Sequence, residues 1–149
     1  MLNQDYKEML SLLLEEQVEF VLVGAYAMAA HGYPRATGDI DLYINPSAEN
    51  SQRVYNCLAR FGAPMDELRP DEFSTPDVVF QIGIAPRRID MITMIDGVTF
   101  KEASEDALEV DIEGLRVPVL SKSNLIRNKE STGRPKDQID AEMLKASQL

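Results

Sequence analysis

Three aspartates are set apart by the residues around them. Asp39 and Asp41 lie one residue apart in the apolar run "GDIDLYI", and Asp90 is embedded in "RRIDMIT". A carboxylate removed from water is costly unless it is protonated, hydrogen-bonded or close to a cation. Residues i and i+2 of a strand point to the same face, which puts Asp39 and Asp41 about 7 Å apart along it. If a strand carrying Asp90 pairs beside theirs, the three carboxylates share one pocket. With no basic partner in their own strands they would repel and raise one another's pKa values. A hard divalent cation relieves that repulsion, since Mg²⁺ or Mn²⁺ takes a few carboxylates together with water and phosphate oxygens. Two plainer arrangements fit the same pattern. The pair can be solvated on a half-exposed strand, or it can be ion-paired with arginines such as Arg35 and Arg88.

Composition narrows the chemistry. A single cysteine, Cys57, excludes a disulfide framework and a cysteine-based zinc site, and the lone His31 excludes a multi-histidine centre, so any metal must use oxygen ligands. The net charge of −10 opposes a broad electrostatic grip on nucleic acid. The charge is uneven, however. Residues 116–136 hold Arg116, Lys122, Arg127, Lys129, Arg134 and Lys136 against Glu130 alone, so this stretch is +5 and the remainder −15. It can meet phosphates, or it can be an ordinary solvated helix face. No apolar stretch approaches the roughly 20 residues of a membrane span, so no membrane partner is expected and the chain reads as cytoplasmic.

The elements that must position these residues follow from periodicity. With 149 residues, 44% of them hydrophobic, the expectation is one compact α/β (α+β) domain over 1–149. "YKEMLSLLLEEQ" has helical period and leads into the buried strand "EFVLVG"; "AYAMAAHG" suits a short helix closed by Gly32, and "DIDLYI" alternates as a second strand. "SAENSQRVYNCLARFG" places Val54, Cys57, Leu58 and Phe61 on one helical face before Gly62. "DVVFQIGI" and "RRIDMITMI" predict an antiparallel hairpin, "TFKEASEDALE" a short helix, and "VDIEGLRVPVL" a hairpin turning at Glu113 and Gly114. Two helices end the chain: "SKSNLIRNKES", capped by Ser121 or Ser123, and "PKDQIDAEMLKA", with Pro135 in its first turn.

The stretch "VGAYAMAAHGYPRATGDIDLYI" resembles the signature of the DNA polymerase β-type nucleotidyltransferase superfamily: an apolar strand, a small-residue turn, a short helix, then Asp-X-Asp. Asp90 matches that superfamily's third carboxylate. "HGYPRATGDIDLYI" and "LSKSNLIRNKESTGRPKDQIDAEML" together are similar to minimal bacterial nucleotidyltransferases related to the abortive-infection toxins of toxin–antitoxin systems. The matching residues are Arg35, Thr37, Asp39, Asp41, Lys129, Arg134, Lys136 and Asp137. The likeness spans roughly 18–145, and it implies a small mixed sheet flanked by helices, with a catalytic core over about 18–120 and a C-terminal helical segment over about 121–147. One departure stands at Ala25, where the family usually has glycine or serine. Alanine keeps its backbone N–H but offers no hydroxyl to a phosphate.

What the resemblance implies is transfer of a nucleoside monophosphate from an NTP to an acceptor hydroxyl, with pyrophosphate leaving. Asp39, Asp41 and Asp90 would be the metal-binding and catalytic carboxylates for Mg²⁺ or Mn²⁺. Gly24 and Ala25 would offer backbone donors to the phosphates, Lys129 would neutralise their charge, and Arg35, Thr37 and Arg134 would contact the nucleotide. Asp137 and Asp140, at i and i+3, would support Arg134 or Lys129. His31 and Tyr33 would touch base or acceptor, although His31 serves equally as a helix-end residue. The acceptor is an RNA such as a tRNA end, a protein or a small molecule, and a cognate antitoxin is the implied protein partner. A degenerate member that binds nucleotide or a partner without turnover is the alternative.

Overall fold

The computed structural model describes residues 2–34, 38–84 and 86–147, so Arg35 and Thr37 lie outside the described residues. Helix α1 (Gln4–Glu15) opens at Asn3, whose side chain accepts from the Tyr6 N–H. Strand β1 (Phe20–Val23) is buried throughout and runs straight into α2 (Gly24–Ala30), which ends at His31 with Gly32 at φ 96°. Strand β2 (Ile40–Ile44) then turns back, and α3 (Ala48–Phe61), capped by the Ser47 side chain and stopped by Gly62 in the left-handed region, crosses the sheet. The hairpin β3 (Val79–Ile82) and β4 (Ile89–Ile92) follows. After it come α4 (Phe100–Glu105) and the hairpin β5 (Leu108–Ile112) and β6 (Leu115–Val119). Helices α5 (Lys122–Ser131) and α6 (Pro135–Ala146) close the chain.

The strands form one six-stranded mixed sheet in the order β3-β4-β2-β1-β6-β5. β1 runs antiparallel to β2, while β4 lies parallel to β2 and β6 parallel to β1. The central strands are buried because a parallel pair needs a long crossover, here α3 and the loop after it, and that crossover covers the sheet. Apolar side chains of α1, α3 and the central strands, among them Leu10, Leu13, Leu22, Leu42, Val54, Leu58 and Met91, are fully buried together. Among the described residues no helix is long and apolar enough to cross a membrane.

The predicted helix over "TFKEASEDALE" is shorter than its sequence suggests. Thr99 and Glu102 form a reciprocal capping box at its start, but the helix ends at Glu105, and from Leu108 the chain is strand. Pairing with β6 across the tight turn at Glu113 and Gly114, both at positive φ, outweighs the helical preference of Ala107, Leu108 and Glu109. Ser121, rather than Ser123, caps α5.

One polar side chain fixes the register of the central pair. Asn50 is fully buried on α3, where its Oδ1 accepts from the Glu19 N–H at 2.7 Å and its Nδ2 donates to the carbonyls of Glu19 and Asn45, each at 3.0 Å. It thereby ties the start of β1 to the end of β2, whose partners include Phe20 with Ile44 and Val23 with Asp41. Asn50→Ala removes three hydrogen bonds in buried surroundings, and urea unfolding should show a loss of about 2 kcal/mol or more. A stability equal to the parent's would show that the clamp is dispensable.

Candidate active site

Parallel pairing of β2 and β4 sets Asp41 directly opposite Asp90. The two carboxyl groups hydrogen-bond to each other, and the Asp41 pKa is pushed up to about 6. Burial is the largest cause, followed by the charge of Asp90, the hydrogen bond to it and the charge of Asp39; the positive charge of Arg88 acts the other way. Asp41 is also the register partner of Val23, the last residue of β1. The next residue, Gly24, has φ +69°, and a Cβ on it would collide with the Asp41 carboxylate. Glycine is required here twice over, by its backbone angle and by the carboxylate packed against it. Asp39 precedes β2 and stays alongside β4, because the Ile40 N–H donates to the Arg88 carbonyl at 3.0 Å.

Of the ion-pair partners that the sequence offers the aspartates, Arg88, the residue just before β4, pairs with two of them. Its Nε donates to Asp90 Oδ1 at 2.8 Å, and its Nη2 donates to Asp90 Oδ2 at 3.1 Å and to Asp39 Oδ2 at 2.9 Å. The planar guanidinium can bridge two carboxylates from different strands, which a lysine ammonium does less well. Among the described residues no group of three acidic, histidine or cysteine side chains is arranged to hold a metal ion as it stands. The donor set nevertheless fits a hard divalent cation in kind: three carboxylates gathered by β2 and the start of β4, with neither sulfur nor imidazole among them.

A cleft of ≈ 630 Å³ opens beside this cluster. The β1–α2 turn contributes Val23, Gly24 and Ala25 to one side of it, together with Asp41. No side chain caps the start of α2, so no side-chain oxygen competes for the first N–H groups of the turn. Helices α5 and α6 and the turn between them add Asn128, Lys129, Thr132, Arg134, Lys136, Asp137 and Asp140 to its lining. Lys129 is only 15% exposed, its ammonium 3.3 Å from Asp137 and 3.2 Å from Asp140, so it is no ordinary surface lysine. Asp137 also accepts from the Thr132 hydroxyl at 2.7 Å and from Arg134 Nε at 2.7 Å. Burial alone would raise the Asp137 pKa; the Thr132 hydrogen bond, the Lys129 charge and the bonds from Lys129 and Arg134 outweigh it and hold it below the usual value.

Not all of the basic stretch reaches the cleft. Arg127 pairs with Glu102 at 2.9 Å and Arg116 with Glu109 at 3.0 Å, both away from it. His31 and Tyr33 serve as anchors: His31 Nε2 lies 2.8 Å from the Leu120 carbonyl, and the Tyr33 hydroxyl donates to the Met143 carbonyl at 3.1 Å. They tie the segment before the aspartates to the end of β6 and to α6. Thr132, Asn128, Asp77 and Asp96 also line the cleft, and no pattern in the sequence marks them.

The raised Asp41 pKa has a measurable sign. A carboxyl whose folded pKa lies above its unfolded value favours the folded state when protonated, and that contribution is lost as pH rises from about 4 through about 6. In chelator, Asp41→Asn should therefore match wild type near pH 4 and become the more stable protein above pH 6, by about 1–3 kcal/mol. Urea unfolding of both proteins across this range reads the difference, and a difference that does not change with pH would refute the raised Asp41 pKa.

The same architecture recurs in solved structures. TM1012 of Thermotoga maritima, a candidate nucleotidyltransferase, superposes with TM-score 0.62 at 18% identity, covering 98% of this chain and 94% of its own. ANT(2")-Ia, solved with adenylyl-2"-tobramycin, gives 0.55 at 20% identity over 93% of this chain and 84% of its own. The lincosamide antibiotic adenylyltransferase LnuA, solved with lincomycin, gives 0.57 at 15% identity over 98% of each chain. At these identities the likeness is one of fold. Among curated proteins none matches the sequence. The profile of one sequence family matches residues 2–147, essentially the whole chain, and the protein therefore belongs to the nucleotidyl transferase family of unknown function (DUF2204).

Proposed function

We propose that this nucleotidyltransferase moves a nucleoside monophosphate from an NTP to an acceptor hydroxyl at the β2–β4 carboxylate cluster, with Mg²⁺ or Mn²⁺ held by Asp39, Asp41 and Asp90. The observation that carries the proposal is the in-register contact of Asp41 with Asp90, against the Gly24 turn and at the edge of a cleft whose lining includes Lys129 and Arg134. A bound divalent ion would supply charge neutralisation and a more acidic acceptor hydroxyl. The backbone N–H groups of Gly24 and Ala25 bind terminal phosphate oxygens, and Ala25 does so without the hydroxyl of a serine. Lys129, oriented by Asp137 and Asp140, sets its charge against the triphosphate and the departing pyrophosphate. Arg134 holds phosphate at the cleft mouth, with Arg35 and Thr37 as further nucleotide contacts. In the transfer the acceptor oxygen bonds to the α-phosphorus, the bond from that phosphorus to the bridging oxygen breaks, pyrophosphate leaves, and a carboxylate of the cluster takes the hydroxyl proton.

For the acceptor, the likeness to toxin-related enzymes favours an RNA end such as that of tRNA, acting in the cytoplasm and restrained by a cognate antitoxin. The cations it would meet are Arg134 and Lys136 at the cleft. A small-molecule hydroxyl is the second reading, favoured by the pairing of Arg116 and Arg127 with acids and by the net charge of −10.

Incubation with each α-labelled NTP, Mn²⁺, and either tRNA or small hydroxyl compounds tests both readings. Label should enter the acceptor with wild type. Asp90→Asn should retain nucleotide but not transfer it, and Lys129→Ala, its fold checked by circular dichroism, should lose nucleotide affinity and turnover together. Ribonuclease-resistant product alone would select the small-molecule reading. Binding of NTP with no transfer to any acceptor would leave a degenerate nucleotide-binding member, and wild-type turnover by Lys129→Ala would remove that lysine from the site.

A further inference from the structure

Arg88 is unexplained by the transfer chemistry, yet among the described residues it makes three short charged contacts with the cluster. Its guanidinium spans Asp90 and Asp39 through three hydrogen bonds of 2.8, 3.1 and 2.9 Å, and it also bears on the Asp41 charge. Those are the three carboxylates to which a divalent ion is assigned above. We propose that Arg88 is a displaceable internal counter-ion: it neutralises the cluster in the metal-free protein, must withdraw before a divalent cation is bound, and so sets the affinity for that cation. This rests on the reading of the cluster as a metal site.

Two features suit Arg88 to withdrawal. Its backbone is held independently of its side chain, since its carbonyl accepts from the Ile40 N–H at 3.0 Å and from the Tyr6 hydroxyl at 3.1 Å. Its side chain is 30% exposed, whereas that of Asp90 is 11% exposed. The guanidinium can therefore turn out to water by rotamer change alone, while the carboxylates stay where β2 and β4 hold them. Lys129 contrasts with it, held between two acids whose side chains are 7% and 4% exposed. The two cations thus differ in function as well as place: one is fixed for substrate phosphate, the other exchanges with metal.

A residue that stabilises the metal-free state by competing with metal must have opposite effects on stability and on metal affinity. A merely structural arginine would support both. The test is Mn²⁺ titration of wild type, Arg88→Gln and Arg88→Lys without nucleotide, read from the electron paramagnetic resonance signal of free Mn²⁺, alongside urea unfolding in chelator. Arg88→Gln should bind Mn²⁺ about tenfold or more tightly than wild type while being less stable without metal. Arg88→Lys keeps the charge but loses the bidentate fork, so it should fall between them and serves if the glutamine variant does not fold. Equal or weaker Mn²⁺ binding by the variants would overturn the counter-ion role and leave the metal site standing. Failure of wild type and variants alike to take up Mn²⁺ would instead overturn the metal site itself, and this proposal with it.

Discussion

Asp41 and Asp90 are held against each other by backbone pairing, and neither can retreat without breaking the parallel register of β2 and β4. Two carboxylates in contact, one of them largely removed from water, form a locally unfavourable arrangement that folding must offset elsewhere. The surroundings answer that demand in turn. Arg88 brings a guanidinium to Asp90 and Asp39, burial and then the neighbouring Asp90 push the Asp41 pKa up to about 6, and the Gly24 backbone leaves room for a carboxylate where any other residue would place a Cβ. The Asn50 clamp acts one step further out, fixing the register of β1 against β2 and with it the position of Asp41 beside the turn.

The part of the cleft lined by α5 and α6 is built on a different balance. Lys129 lies between Asp137 and Asp140, and Thr132 and Arg134 complete the shell around Asp137. A lysine so enclosed keeps its position when the cleft is empty, so little side-chain order would be left to gain on binding the proposed phosphate. The His31 and Tyr33 anchors tie the chain at the end of α2 to the end of β6 and to α6, the helix whose Asp137 and Asp140 hold this lysine. Contacts of this kind would limit relative movement of the elements around the cleft, as the proposed binding of a triphosphate there requires.

Much of this was legible in the sequence because it depends on local rules. Period-2 alternation located β2 and β4, the Ser47 cap and Gly62 bounded α3, and the Glu113–Gly114 turn marked the last hairpin. The grouping of Asp39, Asp41 and Asp90 followed from strand geometry once β4 was set beside β2. What local rules could not supply were the partners brought by the fold. Arg88 was visible only as one candidate ion-pair partner among others, since its reach across to Asp39 depends on the β2–β4 register. The burial of Lys129 depends on packing between α5 and α6, and the pairing of Arg116 and Arg127 depends on β5 and α4. Leu108 reads as helical in the sequence, and only its cross-strand partner Val119 makes it a strand residue.

We propose nucleotidyl transfer at the carboxylates of β2 and β4, beside the cleft that Lys129 also lines. The most direct measurement is a crystal structure of the protein grown with Mn²⁺ and a non-hydrolysable NTP analogue, with anomalous data collected at the manganese edge. The expected result is a manganese peak at the Asp39, Asp41 and Asp90 carboxylates, phosphates between the Gly24–Ala25 turn and Lys129, and Arg88 turned away from Asp39. Nucleotide bound elsewhere, or manganese absent from the three aspartates while nucleotide is present, would contradict it.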